Sequence, residues 1–185
     1  MKNQHGDNDL GFDVVDLDKM QAEQPHLASY YAYVKELRNE SPRGQVLIAS
    51  SVIEDQLGAM LSAHLIEGAV AKSLIDDPRG PLATFSARSS LAYTLGLISH
   101  EEHKSCEIIR KIRNEFAHNL RVDRYTNKIV DLCNNFTLAV NELPDDHKPK
   151  GFDRLTMVAC VLIIRFSYRA SNIAEKRAAY QDWPV

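Results

Sequence analysis

The chain has 185 residues, 44% of them hydrophobic and 25% charged, which is typical of a globular protein with a substantial core. Its formal net charge of −3 argues against a general nucleic-acid binder. No uninterrupted apolar run approaches the roughly 20 residues of a membrane span, and the acidic N-terminus lacks the apolar region of a signal peptide. We therefore expect a cytoplasmic protein that contacts no membrane.

Charge is distributed unevenly along the chain. Residues 1–24 hold six acids and two lysines, whereas residues 103–128 hold seven Lys or Arg and three acids, a local net charge of +4. A local basic patch of this kind is expected for a phosphate-bearing partner, and solvated helix faces are the alternative.

The first part of the chain predicts a tail followed by helices. Residues 1–24 are predicted to form a flexible acidic tail, and residues 25–185 a single helical domain. A first helix is expected over residues 24–39. Ser41 followed by Pro42 then predicts the start of a second helix, with Ser as the N-cap and Pro in the first turn. Its apolar face, continuing to about residue 66, comprises Val46, Leu47, Ile53, Leu57, Leu61 and Leu65.

Three further helices are predicted in the middle of the chain. A short one is expected over residues 69–75, ended by the Pro- and Gly-containing residues 77–81. Another is expected over residues 84–95 and stops at Gly96. Ser99 and Glu102 match a capping box, which opens a helix over residues 99–119.

The C-terminal part predicts two more helices, over residues 125–140 and residues 152–179. A charged, Pro-containing connection over residues 141–151 separates them. No alternating strand pattern and no internal repeat is found. The fold class is therefore predicted as an all-α, single-domain bundle of about six to seven helices.

The helix over residues 99–119 has two distinct faces. Ile109, Ile112, Phe116 and Leu120 recur at three- and four-residue steps, so this side is expected in the core. Arg110, Asn114 and His118 recur at four-residue steps on another face. A cation, an amide and an imidazole on one stripe can form a phosphate or RNA site, or a structural polar network.

A helix-turn-helix is not favoured by the sequence, although residues 91–98 resemble its first helix and glycine turn. In that register the second helix needs apolar anchors where this chain has Glu102 and Ser105. An ordinary helical hairpin accounts better for the pattern. Direct sequence-specific DNA binding is therefore not expected.

Residues 41–120 hold an ordered succession of motifs: Arg43-Gly44, Pro81-Leu82, Phe85-Ser86-Ala87-Arg88, Leu91-Ala92-Tyr93, Leu95-Gly96-Leu97-Ile98, and Ile109-Arg110-Lys111-Ile112-Arg113-Asn114 through His118. This succession resembles the mannitol operon repressor (MtlR-like) family. The resemblance implies an all-helical transcriptional regulator without a recognised DNA-binding module, which acts through protein partners.

The stretch from Arg113 to His118 is also similar to the signature of HEPN-domain helical bundles, many of which are metal-independent RNases that work as dimers. That resemblance implies that Arg113 holds the scissile phosphate and that His118 acts as general base or acid on the ribose 2′-hydroxyl, while Asn114 orients the group. Five residues on an ideal helix, however, place Arg113 and His118 about 140° apart. Convergence would need the helix to end or bend there, or a dimer to combine two copies.

A structural role for the same residues is the competing interpretation. Arg113 would then pair with Glu54 or Asp55 on the second helix, and Asn114 and His118 would cap carbonyls at the helix end. Ser86 and Arg88 offer the same choice between capping or surface pairing and a ligand or partner groove.

The function predicted from the sequence is a regulator of the mannitol-repressor-like family that forms a homodimer and acts by binding a protein partner. Arg110, Arg113, Arg88 and Ser86 are its candidate partner- or phosphate-binding residues. The alternative is a HEPN-type ribonuclease, a toxin or defence component, for which RNA would be the substrate.

No cofactor or metal is expected. His100 and His103 lie beside Glu101 and Glu102 and indicate an exposed helix start rather than a zinc site. The widely spaced thiols are expected to be buried and free; they are Cys106, Cys133 and Cys160.

Overall fold

The structure, a computed structural model, describes residue 37 and residues 39–181. Within them lie six α-helices and a short 3₁₀ helix, Asp145–His147, and residues 39–181 contain no β-strand. The α-helices are α1 (Pro42–His64), α2 (Ala69–Asp76), α3 (Phe85–Thr94), α4 (His100–His118), α5 (Asn127–Asn134) and α6 (Phe152–Ala174). The all-α prediction is confirmed. The predicted tail over residues 1–24 and nearly all of the predicted helix over residues 24–39 lie outside the described residues.

Local signals set the beginnings of three helices as predicted. The Ser41 hydroxyl accepts a hydrogen bond from the Gly44 N–H at 3.1 Å and caps α1, whose first turn holds Pro42. Thr84 caps α3 in the same way. Ser99 and Glu102 form the reciprocal capping box of α4.

A Schellman motif ends α3. Gly96 adopts a φ of +71°, its N–H donates to the Tyr93 carbonyl, and the Leu97 N–H donates to the Ala92 carbonyl. The glycine thereby reverses the direction of the chain, which then continues into α4. The last two helices are shorter than predicted: α5 ends at Asn134 rather than residue 140, and α6 ends at Ala174 rather than residue 179.

The bundle is organised around α1 and α6, which pack against each other more extensively than any other pair of described helices. Helix α4 packs on α1, α3, α5 and α6, and α5 closes the side between α4 and α6. The central side chains come from α1, α4 and α6 and include Ile53, Leu57, Met60, Leu61, Ile109, Ile112, Phe116, Val158, Leu162 and Phe166.

The two central helices, Pro42–His64 and Phe152–Ala174, are each long and apolar enough to cross a membrane. The criterion of an uninterrupted apolar run of roughly 20 residues did not detect these helices in the sequence, because polar residues interrupt both. Core helices of soluble proteins pass the same test, and here the two helices cover each other's apolar faces, so the finding is weak evidence for a membrane span.

One predicted core residue is placed wrongly by helical periodicity. Leu120 is 90% exposed, whereas Ile109, Ile112 and Phe116 are buried as expected. Helix α4 ends at His118, so Leu120 lies in the following loop, where helical periodicity no longer decides which side chains face the core.

Candidate functional site

The polar stripe of α4 lies on the outer side of the helix, as the sequence predicts. Arg110 forms a two-point ion pair with Glu107, with Nε 3.2 Å from Oε1 and Nη2 2.7 Å from Oε2. These hydrogen bonds hold the pKa of Glu107 below its ordinary value. Half-buried Asn114 and exposed His118 have no side-chain hydrogen bond within the described residues. The stripe therefore presents one neutralised cation and two unpaired polar groups.

Arg113 is half-buried and makes no hydrogen bond or ion pair within the described residues. The pairing of Arg113 with Glu54 or Asp55, which was the structural interpretation, is not found among the described residues. Because α4 is unbroken between Arg113 and His118, the two side chains leave the helix about 140° apart. A single copy of the chain does not bring them onto one face.

Arg88 lies inside a junction of four segments. Its guanidinium donates to three backbone carbonyls: Leu82 at 2.8 Å, Ile75 at 3.0 Å and Glu54 at 3.1 Å. Gly58 of α1 permits this approach, because a Cβ there would lie 3.1 Å from Arg88 Nη1. The donors of Arg88 are thus committed to joining α1, α2, α3 and the intervening loop. Its neighbour Ser86 is half-buried and has no side-chain hydrogen bond within the described residues.

A buried acid on α4 was missed by sequence reasoning. Glu102 is only 1% exposed, and Arg169 of α6 donates two hydrogen bonds to its carboxylate, from Nη1 to Oε2 at 2.7 Å and from Nη2 to Oε1 at 3.0 Å. Burial alone would raise the pKa of Glu102, but the hydrogen bonds from Arg169 and the Ser99 N–H outweigh it and hold the pKa below its ordinary value.

The helix start that the sequence assigned to the surface is therefore partly internal, and that expectation was wrong for Glu102. The capping box was a signal for one of its hydrogen bonds. The available signal for its ionic partners was the pair Arg165 and Arg169, which lie four residues apart in the C-terminal half of α6.

The burial of α4 residues also bears on whether α3 and α4 form a helix-turn-helix. Glu102 and Ser105 are both 1% exposed although they are polar, so α4 packs into the bundle at these positions. The Tyr93 ring stacks on His103 of α4 with centroids 4.8 Å apart. The α3–α4 pair is thus a hairpin integrated into the core.

The loop that follows α4 exposes large side chains among cations. Leu120 is 90% and Tyr125 79% exposed, and Arg121 and Arg124 lie between them in sequence. Arg124 stacks over Phe152 at 5.2 Å, whereas Arg121 has no side-chain partner within the described residues. We call His118, Leu120, Arg121, Arg124 and Tyr125 the α4–α5 loop surface.

The acids near this surface are already engaged. Asp123 accepts hydrogen bonds from the Tyr125 N–H and the Thr126 hydroxyl, which stabilise its own turn. Glu115 pairs with Lys128, and Glu107 pairs with Arg110. The loop surface therefore remains positively charged.

The described part of the chain holds no group of three or more His, Cys, Asp or Glu residues that could bind a metal ion. The three cysteines are thiols that form no disulfide within the described residues, with Cys106 and Cys133 buried and Cys160 partly exposed. Burial raises the pKa of Cys133 to about 12 and that of Cys106 further still. These two thiols fit as core side chains rather than as nucleophiles.

The fold and the site together define an all-helical bundle protein with a basic, partly apolar surface at one end of α4. The mannitol repressor (MtlR) family model matches residues 37–157. The chain belongs to the mannitol repressor family, as the motifs over residues 41–120 indicated.

A comparison with solved structures supports the same architecture. The chain is similar to one in the X-ray structure of the MtlR–HPr complex from Escherichia coli, with a TM-score of 0.53 and 18% sequence identity. The match covers 78% of this chain and 98% of that chain, and at this identity it shows the fold. A comparison with curated proteins gives no match. The HEPN-type alternative is not favoured by these findings.

Proposed function

We propose that this protein regulates transcription by binding a protein partner through the α4–α5 loop surface, and that the partner is HPr. The observation that carries the surface assignment is the exposure of Leu120 and Tyr125, at 90% and 79%, on either side of two arginines in sequence. Aromatic and arginine side chains with an apolar anchor are the residues that contribute most to protein interfaces.

The chemistry of this surface favours a protein over a nucleic acid. Arginines suit either partner, but a phosphate backbone gains nothing from covering the Leu120 side chain, whereas an apolar patch on a protein does. Because Asp123, Glu115 and Glu107 are engaged locally, the complementary partner surface is acidic with an apolar centre.

The choice of HPr is supported by the structural neighbour, in which MtlR is in complex with HPr. The homodimer, the cytoplasmic location and the roles assigned to Arg110, Arg113 and Ser86 stay predictions. Arg88 contributes to this proposal as a structural residue, since its donors bind backbone carbonyls.

The test is isothermal titration calorimetry of the full chain with purified HPr. Leu120→Asp removes the apolar anchor and Arg121→Glu reverses a free cation, and each is expected to weaken binding by at least about tenfold. Val70→Asp and Lys72→Glu on α2 are the matched controls, because Val70 is 77% exposed and Lys72 is an exposed cation. Neither control is expected to change the affinity.

Two results would contradict the proposal in different ways. Absence of any binding by the folded wild type would exclude HPr as the partner. Binding that is weakened no more by Leu120→Asp and Arg121→Glu than by the α2 controls would place the interface elsewhere on the bundle.

A further inference from the structure

An open cleft lies between the turn that joins α3 to α4 and the C-terminal half of α6, away from the α4–α5 loop surface. Its volume is about 560 Å³, and it is lined by Gly96, Leu97, Ile98, Ser99, Glu102, Arg165, Arg169, Asn172, Ile173 and Lys176. A volume of this order accommodates a small organic molecule.

The acid at the base of the cleft accepts three hydrogen bonds. Glu102 Oε2 accepts from the Ser99 N–H at 2.8 Å and from Arg169 at 2.7 Å, and Oε1 accepts from Arg169 at 3.0 Å. Arg169 also donates to the Leu97 carbonyl at 3.1 Å. Glu102 and Arg169 therefore form a two-point ion pair whose opposite charges cancel.

Two further cations lie at the mouth of the cleft: Arg165 forms a longer ion pair with Glu102, and Lys176 has no ionic partner within the described residues. Arg165 Nη1 is 3.7 Å from Glu102 Oε1, beyond hydrogen-bond distance, and its side chain is 41% exposed. Lys176 is exposed and its ammonium has no partner within the described residues. Glu102 is the one acid among the lining residues, so three cations face one acid and the cleft carries two excess positive charges.

The polar groups are arranged on one stripe. Arg165, Arg169, Asn172 and Lys176 recur at three- and four-residue steps along α6 and the turn that follows it. Asn172 is exposed and adds an amide donor between Arg165 and Lys176 in sequence. Donors in this arrangement suit an anion with several oxygens, and the guanidinium of Arg165 fits the geometry of phosphate.

The cleft also has an apolar wall, to which the turn between α3 and α4 contributes Leu97 and Ile98 and α6 contributes Ile173. Leu97 is half-buried, and Ile98 and Ile173 are only 4% and 7% exposed, so the wall is a fixed surface of the core. From this arrangement we infer that the cleft binds a small phosphate monoester. The phosphate contacts Arg165, Asn172 and Lys176, and the carbon skeleton lies on Leu97 and Ile173. This ligand site is independent of the partner-binding surface.

Calorimetric titration of the full chain with inorganic phosphate and with phenyl phosphate tests the site. Phenyl phosphate is expected to bind saturably with a dissociation constant of about 1 mM or lower, and more tightly than inorganic phosphate because its ring reaches the apolar wall. Benzyl alcohol, which lacks the charge, is expected not to bind. The double substitution Arg165→Gln with Lys176→Gln is expected to weaken phenyl phosphate binding by at least about tenfold.

The matched control is the double substitution Lys72→Gln with Arg79→Gln, which removes two exposed cations outside the cleft and is expected to leave binding unchanged. Should the cleft double variant misfold by circular dichroism, Lys176→Glu alone serves, because this residue is exposed and follows the end of α6. Absence of saturable phenyl phosphate binding, or equal binding by the cleft and control variants, would overturn the inference.

Discussion

The junction around Arg88 makes a quantitative prediction about stability. Replacing Arg88 by leucine removes three hydrogen bonds from a charged donor. The Ile75 carbonyl belongs to the last turn of α2, where helical partners run out, and the Leu82 carbonyl lies in a loop, so each loss costs about 1.5 kcal/mol. The Glu54 carbonyl lies within α1 and retains its helical partner, so its loss adds only about 0.5 kcal/mol.

The expected loss in the free energy of unfolding is therefore about 3.5 kcal/mol, which lowers Tm by about 7 to 14 °C in a protein of this size. Arg88→Lys is expected to lose about 2 kcal/mol, because one ammonium does not span three carbonyls in different directions. Urea unfolding followed by circular dichroism measures both changes. The control is Arg79→Leu, an exposed arginine expected to change stability by less than about 0.5 kcal/mol.

A loss below about 1 kcal/mol for Arg88→Leu would refute this reasoning, since water would then be replacing the guanidinium at all three carbonyls. Equal losses for Arg88→Leu and Arg79→Leu would refute it as well. Full retention of stability by Arg88→Lys would show that the stabilisation comes from the positive charge at residue 88 and not from the geometry of the guanidinium.

Three further predictions concern the pH response, the thiols and RNA. The pKa of Glu102 lies below its ordinary value of 4.5, so the ionised carboxylate stabilises the fold above pH 4.5, and this contribution is lost as pH falls through the folded pKa. In acid unfolding monitored by fluorescence, Glu102→Gln should therefore lose less stability below pH 4.5 than wild type does. Equal losses would contradict this prediction. In native protein at about pH 8, a chromogenic disulfide reagent should modify at most Cys160 quickly, because burial keeps Cys106 and Cys133 protonated; fast reaction of all three thiols would show that the core is open. Purified wild type incubated with structured and single-stranded RNA under chelator should leave the RNA intact on a gel, whereas cleavage that His118→Ala and Arg113→Ala both abolish would revive the ribonuclease interpretation.

Helix boundaries were predictable wherever a local chemical signal marks them. Ser41, Thr84 and Ser99 each accept a backbone hydrogen bond at a helix start, and Gly96 supplies the positive φ that ends α3. No such signal marks the end of α5 or α6, and continued helical periodicity extended both predictions too far. Leu120 was misplaced for the same reason.

The candidate site was less predictable because its geometry depends on contacts between distant segments. Arg88 was recognised from sequence as a candidate, but its three carbonyl partners lie 6, 13 and 34 residues away. The pairing of Glu102 with Arg169 spans 67 residues, and although the capping box with Ser99 marks Glu102 locally, it does not reveal that this acid is buried while Glu101 is exposed. Long-range packing decides which polar residues become internal.

The central pairing of α1 with α6 has a consequence for the order in which the protein is made. Residues 65–151 separate the two helices in sequence, so during synthesis the apolar face of α1 leaves the ribosome long before its main cover exists. Nascent chains that end before Phe152 expose a 23-residue apolar helix able to attract chaperones or aggregate. Completion of α6 is thus the step that commits this chain to its native state.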